Sequence, residues 1–217
     1  MKIAVLNKCF FNNDHFNRLQ KCGSLVIYKN TTTEDEIIRR LNDIEIAIVN
    51  GLIAPFTEKV FKNVKSLKLI VLNSTGFDFF DIKAARKNGI NIANTPAFAA
   101  DAVAEHVIAL ILSIMKKLPI CDRTVKKLPF EINPGLDDHQ IFKGEEINGK
   151  TLGIIGLGAI GLKTAELGSN LGMKVIGYTR QPKKQIKRVK LVSFKKLLRL
   201  SDIVSLHLPL TQDTKYI

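Results

Sequence analysis

The sequence contains few cysteines and no long apolar segment. Its 217 residues include only Cys9, Cys22 and Cys121, which show neither CxxC nor metal-ligand spacing. We therefore expect the reduced thiols of a cytoplasmic protein, with no disulfide and no metal site. The most apolar stretch, 102–115, is interrupted by Glu105 and His106. It is shorter than the roughly 20 residues that a bilayer-spanning helix needs, so we expect no membrane contact.

A secretory leader and a nucleic-acid-binding pattern are also missing. The chain starts with Met1 and Lys2 and passes at once into a short apolar strand, which is not the pattern of a signal peptide. The net charge of +13 would suit a nucleic-acid partner. However, the main basic cluster, 180–190, has no aromatic residues between its cations, and no helix-turn-helix or zinc pattern occurs. We therefore expect no nucleic-acid partner.

Residues 1–98 alternate short apolar strands with amphipathic helices. This alternation predicts a parallel sheet that is covered on both faces. Thr33 and Glu36 have the spacing of a capping box at the start of one helix. Another helix is expected over 81–88, ended by Gly89. The predicted strands are 2–6, 24–28, 44–49, 67–73 and 90–93.

A long apolar helix over 101–117 separates this region from a second sheet. Asp101 is its expected N-cap, and because the helix is apolar nearly all round we expect it to be buried between domains. Residues 118–149 are predicted to be an irregular connection. Ser193 is expected to cap a helix over 194–200. The strands of the second sheet are predicted at 151–155, 173–178, 189–192 and 202–207.

The glycine motif at 156–161 is the most informative feature of the chain. It follows one predicted strand and precedes a helix and a second strand, which is the setting of a dinucleotide-binding turn. Gly156 permits the tight turn, Gly158 lets the backbone approach a pyrophosphate, and Gly161 lets helix and strand pack closely. The N–H groups of Ala159 and Ile160 would face the phosphates. The alternative is a glycine-rich turn without a ligand.

An acidic residue is absent where the second strand of this region ends. Thr179 lies there, 18 residues after Gly161. NAD enzymes hold the ribose 2′-hydroxyl with a carboxylate near this point. Here Arg180 and Lys183 follow a hydroxyl, and cations attract a 2′-phosphate. The sequence therefore predicts that NADPH is tolerated or preferred, unless these cations form only a solvated surface.

Three blocks of sequence carry a resemblance to a known family. The first block is Asn-Ser-Thr-Gly-Phe-Asp at 73–78 with Ala-Ala-Arg-Lys-Asn-Gly-Ile at 84–90. The second is Asn-Thr-Pro-Ala at 94–97 with Ala-Val-Ala-Glu-His at 102–106. The third is the run from 149 through the glycine motif, with Ser-Leu-His-Leu-Pro-Leu-Thr at 205–211 and Thr214. Together they resemble the D-isomer-specific 2-hydroxyacid dehydrogenases. Within that family, the block at 94–106 is most similar to glycerate dehydrogenases and hydroxypyruvate/glyoxylate reductases.

This resemblance implies an α/β fold with two Rossmann-like domains. Residues 1–98 would form a flavodoxin-like substrate domain, and residues 99–217 a doubly wound NAD(P)-binding domain that is incomplete at its C-terminal side. The implied reaction is hydride transfer between NAD(P)H and a small 2-oxo acid such as hydroxypyruvate or glyoxylate. The alternative from another class is a non-catalytic dinucleotide-binding sensor or corepressor-like protein.

The resemblance also implies roles for individual residues. The backbone of Thr75, Gly76 and Phe77 would bind the substrate carboxylate, with Gly76 supplying φ values that other residues resist; a simple turn is the alternative. Leu208 and Pro209 would wall the adenosine side of the cofactor. Thr214 is also expected to lie near the cofactor. Val103 is expected to line the nicotinamide side, with plain helix core as the alternative.

No catalytic residue is expected in the chain as given. In the family the catalytic Arg, Glu and His follow the segment that ends at 217, so we expect this chain to be inactive alone. It would be a fragment, a split-gene product or a degenerate protein. A homodimer through helix 101–117 is implied. We expect the four histidines to be structural or incidental: His15, His106, His139 and His207.

Overall fold

The structure is a computed structural model that describes residues 1–7, 11–49, 55–127, 142–180, 186 and 188–217. Two compact units make up the chain: Met1–Phe98 and Ala99–Ile217. Each unit is built on a parallel sheet. None of the helices in these described ranges is long and apolar enough to cross a bilayer.

The first unit is a flavodoxin-like α/β sheet. Its described strands run in the order β2-β1-β3-β4-β5, and every neighbouring pair is parallel. This order confirms the predicted fold of the first domain. The strands are β1 (Lys2–Leu6), β2 (Ser24–Tyr28), β3 (Ile46–Val49), β4 (Leu69–Leu72) and β5 (Asn91–Ala93).

Helices cover both faces of this sheet because its central strands are apolar on both sides. Ala4 and Leu6 of β1 belong to one buried cluster, whereas Ile3 and Val5 belong to another on the opposite face. Continuous apolar strands of this kind need a layer of helices above and below. The helices are α1 (Asn13–Cys22), α2 (Glu34–Leu41), α3 (Glu58–Asn63) and α4 (Ile82–Lys87).

The predicted capping box at the start of α2 is confirmed. The Glu36 N–H donates to Thr33 Oγ1 at 3.3 Å, and Glu36 Oε2 accepts from the Thr33 N–H at 3.3 Å. The same carboxylate oxygen accepts from the Thr32 N–H at 2.8 Å. These donors favour the charged carboxylate and lower the pKa of Glu36 from its usual value, the Thr32 N–H contributing most.

The second unit contains the first four strands of a doubly wound sheet. Its described strands run in the order β8-β7-β6-β9 and are all parallel. Third, second, first and fourth is the order of the dinucleotide-binding fold, as predicted. The strands are β6 (Thr151–Ile155), β7 (Lys174–Tyr178), β8 (Lys190–Leu191) and β9 (Ile203–Leu206), and the helices are α5 (Ala100–Met115), α6 (Leu118–Val125), α7 (Ala159–Asn170) and α8 (Phe194–Leu200).

Helix α5 differs from the expectation at its start and on its surface. Its N-cap is Ala99, and Asp101 instead lies inside the first turn, where its carboxylate pairs with Lys163 at 3.3 Å. The helix is not buried all round. Ala104, Ile108 and Ile111 are buried, but Ile114 is 72% exposed. Packing against α7 and its neighbours in the cluster covers one face of α5 and leaves the other accessible.

The stretch 118–149 is not wholly irregular, as the sequence predicted it to be. Helix α6 occupies Leu118–Val125. Pro119 lies in its first turn, where the missing N–H and fixed φ of proline suit a helix. Ser193 caps α8 as predicted, accepting from the Lys196 N–H at 3.4 Å.

Candidate functional site

A tight β–α turn joins β6 to α7 in the second unit. Gly156 begins it with φ +95°, a left-handed value that residues with a Cβ resist. Its N–H donates to the Tyr178 carbonyl at 2.9 Å, which ties the turn to the end of β7. A Cβ on Gly156 would collide with the His207 carbonyl, and one on Gly161 would collide with the Gly156 carbonyl. Helix, turn and β9 therefore meet at backbone contact.

Gly158 differs from these two glycines because it faces open space. It is the N-cap of α7, it is exposed, and a Cβ built on it would meet nothing within 4 Å. No side chain caps α7, and its first intrahelical bond runs from the Leu162 N–H to the Gly158 carbonyl at 2.9 Å. Within the described ranges, the N–H groups of Ala159, Ile160 and Gly161 thus have no acceptor. Three free donors at the positive end of a helix dipole suit a pyrophosphate, so the turn fits a dinucleotide.

A cleft of about 470 Å³ opens beside this turn. Ala159, Ile160 and Gly161 begin α7 next to it, whereas Val103 lies on α5 and does not line it. Lys183 lies outside the described residues. The predicted cofactor residues that line the cleft are Gly156, Gly158, Thr179, Arg180, Leu208, Pro209 and Thr214.

The carboxyl end of β7 forms one end of the cleft. Thr179 follows the strand directly, and the Arg180 guanidinium pairs with the Asp213 carboxylate at 3.0 Å. Asp213 also lines the cleft. This carboxylate could not be predicted from the sequence because it comes from the loop after β9, and nothing in the local sequence links it to Arg180.

Thr214 uses its hydroxyl inside the loop that follows β9. Its Oγ1 donates to the Pro209 carbonyl at 2.6 Å and accepts from the Thr211 N–H at 2.8 Å. These bonds close the turn over 209–214. Thr214 therefore shapes the wall of the cleft through the backbone.

His207 also lines the cleft, although the sequence predicts no role for it in a site. Its ring Nε2 and Ser205 Oγ are 2.9 Å apart, and burial lowers the pKa of the half-buried imidazole from its usual value. Elsewhere, His15 completes the N-terminal cap of α1, and His106 is on the exposed side of α5. His139 lies outside the described residues.

The loop after β4 is the predicted carboxylate-binding segment of the first unit. The carbonyl oxygens of residues 74–77 are engaged: that of Ser74 accepts from the Thr95 N–H at 3.2 Å, that of Thr75 from Asn94 Nδ2 at 2.9 Å, and the next two from other donors. The N–H groups of residues 74–77 have no acceptor among the described residues. A run of free N–H groups in one loop is an arrangement that binds anions.

Gly76 does not have the backbone conformation that the sequence analysis expected of it. Its φ is not in the left-handed region, and a Cβ would meet only Asp78 Oδ2 at 3.5 Å, an ordinary contact. A neighbouring cleft of about 360 Å³, which the sequence did not predict, is lined by Phe77, by residues of α4 and β5 including Arg86, and by Asn94, which follows β5.

The fold and the turn together define a two-unit α/β protein with a dinucleotide-binding unit. Residues 108–217 match the model of the D-isomer specific 2-hydroxyacid dehydrogenase, NAD binding domain. A hydroxypyruvate reductase of Blautia hydrogenotrophica is 31% identical over 223 residues, covering 99% of this chain and 68% of that protein. The chain therefore belongs to the D-isomer-specific 2-hydroxyacid dehydrogenase family, and the cofactor of the matched domain is NAD(P).

Solved structures agree with this family. An acyclic imino acid reductase in complex with NADPH and D-Arg has a TM-score of 0.87 and 32% identity over 99% of this chain and 67% of that one. The D-lactate dehydrogenase of Aquifex aeolicus, complexed with NAD and lactic acid, has a TM-score of 0.84 and 32% identity, covering 98% and 62%. The chain spans 68% of the first curated relative and 39% to 58% of the next three.

Proposed function

We propose that this chain takes part in hydride transfer between NAD(P)H and a small 2-oxo acid such as hydroxypyruvate or glyoxylate. The first unit would bind the acid and the second unit the cofactor. The observation that carries the proposal is the glycine turn, with open space at Gly158 and an uncapped α7 behind it. Relatives named hydroxypyruvate reductase, glycerate dehydrogenase and glyoxylate reductase support this substrate class.

In this proposal the second unit binds the cofactor through its backbone. The N–H groups of Ala159, Ile160 and Gly161 donate to the pyrophosphate oxygens. Leu208 and Pro209 form the apolar wall of the adenosine end, and Val103 on α5 faces the nicotinamide end. When bound, the nicotinamide would supply hydride chemistry at C2 of the acid, and the proton for the resulting hydroxyl would come from the family's catalytic His, which is not expected in this chain.

The first unit would bind the carboxylate of the acid through the loop after β4. Free N–H groups of Thr75, Gly76 and Phe77 can donate to a carboxylate, while Asn94 and Thr95 occupy carbonyls of the same loop. Engaged carbonyls do not compete for these donors or repel the anion. A charge-assisted hydrogen bond of this kind is worth about 1.5–3 kcal/mol.

NADPH would be tolerated or preferred at this site. Thr179 brings no carboxylate to the end of β7, and Arg180 is the next residue, at the rim of the cleft. The ammonium group of Lys183 would be a third group that attracts the 2′-phosphate, after the Thr179 hydroxyl and Arg180. Because the charge of a 2′-phosphate is close to −2, one nearby cation raises its affinity. An NADH preference of tenfold or more, about 1.4 kcal/mol, would contradict this part of the proposal.

Two further features belong to the proposal. The exposed apolar residues Leu110 and Ile114 of α5 would form a homodimer interface; they are 50% and 72% exposed. The protein would be cytoplasmic and would have no nucleic-acid partner. Cys22 and Cys121 are free thiols among the described residues, which suits a reducing compartment.

The test compares Gly158→Ala with Gly76→Ala. Both added methyl groups enter space without a close contact, so both variants should fold. Only the methyl group at 158 occupies the expected path of the pyrophosphate. We expect G158A to weaken NADPH and NADH binding at least tenfold, measured by the change in nicotinamide fluorescence, and G76A to leave both dissociation constants within twofold.

A turnover assay with hydroxypyruvate and glyoxylate completes the test. The assay is run on the chain alone, for which we expect no turnover, and on the chain together with a polypeptide that carries the family's catalytic Arg, Glu and His. Acid-dependent oxidation of NADPH or NADH in the second case supports the dehydrogenase, whereas turnover by the chain alone would contradict the expected absence of catalytic residues. Dinucleotide binding without turnover in either case would favour a sensor instead. If the unmodified chain binds neither dinucleotide, or if G158A binds both normally, the proposed cofactor site is wrong.

A further inference from the structure

The Arg180–Asp213 pair closes the end of the cleft that faces the carboxyl terminus of β7. Arg180 Nη1 and Asp213 Oδ2 are 3.0 Å apart, and both residues line the cleft. Arg180 comes from the end of β7 and Asp213 from the loop after β9, so the pair bridges two separate walls. An acidic group thus lines the same cleft as Thr179, although the sequence around Thr179 contains none.

The loop after β9 constrains the backbone next to Asp213. Thr214, the neighbouring residue, closes the turn by bonding the Pro209 carbonyl and the Thr211 N–H. The Asp213 side chain therefore extends from a hydrogen-bonded turn, and its carboxylate pairs with Arg180.

We propose that Asp213 is a specificity-determining residue that weakens the binding of NADPH relative to NADH. This inference rests on the proposed cofactor site. The Asp213 carboxylate occupies the guanidinium that would otherwise receive a 2′-phosphate, and its negative charge repels that phosphate. A ribose 2′-hydroxyl is neutral and can donate to a carboxylate, so NADH is not opposed in this way.

The exposure of the pair determines the size of the effect. The side chains of Arg180 and Asp213 are 59% and 74% exposed, and solvent weakens an ion pair of this kind. A phosphate can therefore displace the carboxylate at a modest cost. The expected discrimination is a factor of about 3 to 10 and not several orders of magnitude.

The experiment uses Asp213→Asn in the full chain, with Asp122→Asn as the matched control. Asp122 also forms an exposed ion pair, with Lys126 at 2.9 Å, but it lies on α6 and does not line the cleft. Both variants remove one negative charge and so raise the net charge by one unit. We expect D213N to bind NADPH about 3- to 10-fold more tightly at low salt and NADH within twofold of the unmodified chain. D122N should change neither constant.

A double-mutant cycle with Arg180→Met shows whether the two residues act together. In the R180M background, D213N should improve NADPH binding by less than twofold. An unchanged ratio of NADPH to NADH affinity in D213N, or the same gain in D122N, overturns this inference while leaving dinucleotide binding intact. If the unmodified chain binds neither dinucleotide, the proposed function fails and takes this inference with it.

Discussion

Asn94 donates from Nδ2 to the carbonyl oxygen of Thr75 across 2.9 Å. The bond joins the residue after β5 to the loop after β4, and neighbouring bonds reinforce it. Thr75 Oγ1 donates to the Thr95 carbonyl at 3.1 Å, and Thr95 Oγ1 donates to the Ser74 carbonyl at 3.1 Å. The conformation of the proposed carboxylate loop thus depends on side chains that need not touch the substrate.

Asn94→Ala should therefore weaken binding of the 2-oxo acid. Loss of one net hydrogen bond of about 1 kcal/mol corresponds to an affinity about fivefold lower. The measurement is the dissociation constant of glyoxylate in the presence of saturating NADPH. Asn88→Ala is the control, because Asn88 Nδ2 also bonds a backbone carbonyl in the same unit, that of Ala84 at 2.8 Å, but away from the loop. Equal effects of the two variants would contradict a specific role for Asn94.

Gly156→Ala should destabilise the second unit strongly. The added Cβ would occupy a left-handed conformation and collide with the His207 carbonyl. Strain and overpacking together should lower the free energy of unfolding by about 2–4 kcal/mol. Denaturant unfolding measures this change. Gly158→Ala is the matched comparison and should stay within about 0.5 kcal/mol; an equal loss in both variants would contradict the geometry of the turn.

Glu36→Gln should alter the acid stability of the first unit. The folded-state pKa of Glu36 is lowered, so its stabilising effect is present above the usual value of 4.5 and is lost as pH falls through the lowered value. The unfolding free energies of the unmodified chain and of E36Q should therefore differ most near neutral pH. The difference should shrink steadily below pH 4.5. Urea titrations at several pH values check this, and a constant difference down to pH 3 would contradict it.

Ile114→Glu should disrupt the proposed homodimer. A charge at the centre of an apolar interface is costly to bury, so the dimer dissociation constant should rise at least tenfold. Light scattering after size-exclusion chromatography measures the mass. Leu198→Glu on α8 is the control, because Leu198 is also apolar and 49% exposed. A monomeric unmodified chain, or an unchanged mass in I114E, would rule out this interface.

Much of the fold is predictable because it depends on local patterns. The apolar runs predict β1, β2 and β6 with their observed bounds, and the other predicted strands extend one or two residues too far. Strand ends are set by pairing with neighbours, which the local sequence does not contain. The capping residues Thr33 and Ser193 are likewise recognisable, since each bonds an N–H three residues away.

The errors arise where tertiary contacts override local preference. Asp101 has the chemistry of an N-cap, but its carboxylate pairs with Lys163 of α7, and the helix begins one residue earlier at Ala100. Helix α6 differs from the predicted irregular connection because Pro119, which is typical of irregular chain, lies in the first turn of the helix, where proline is tolerated. Asp213 lies 33 residues from Arg180, which it contacts, so no local sequence pattern predicts the pair.

The two halves of the proposed dinucleotide site have different tolerance to change. The glycine turn packs tightly against neighbouring backbone, since added methyl groups at Gly156 and Gly161 would collide with the carbonyl oxygens of His207 and Gly156. Arg180 and Asp213 are surface side chains that share no such constraint. Substitutions at the solvent-facing rim can consequently change the preference for NADPH or NADH, whereas the backbone groups proposed to bind the pyrophosphate stay unaltered. Natural variants of this chain could change from NADPH to NADH, or the reverse, with almost no loss of thermal stability.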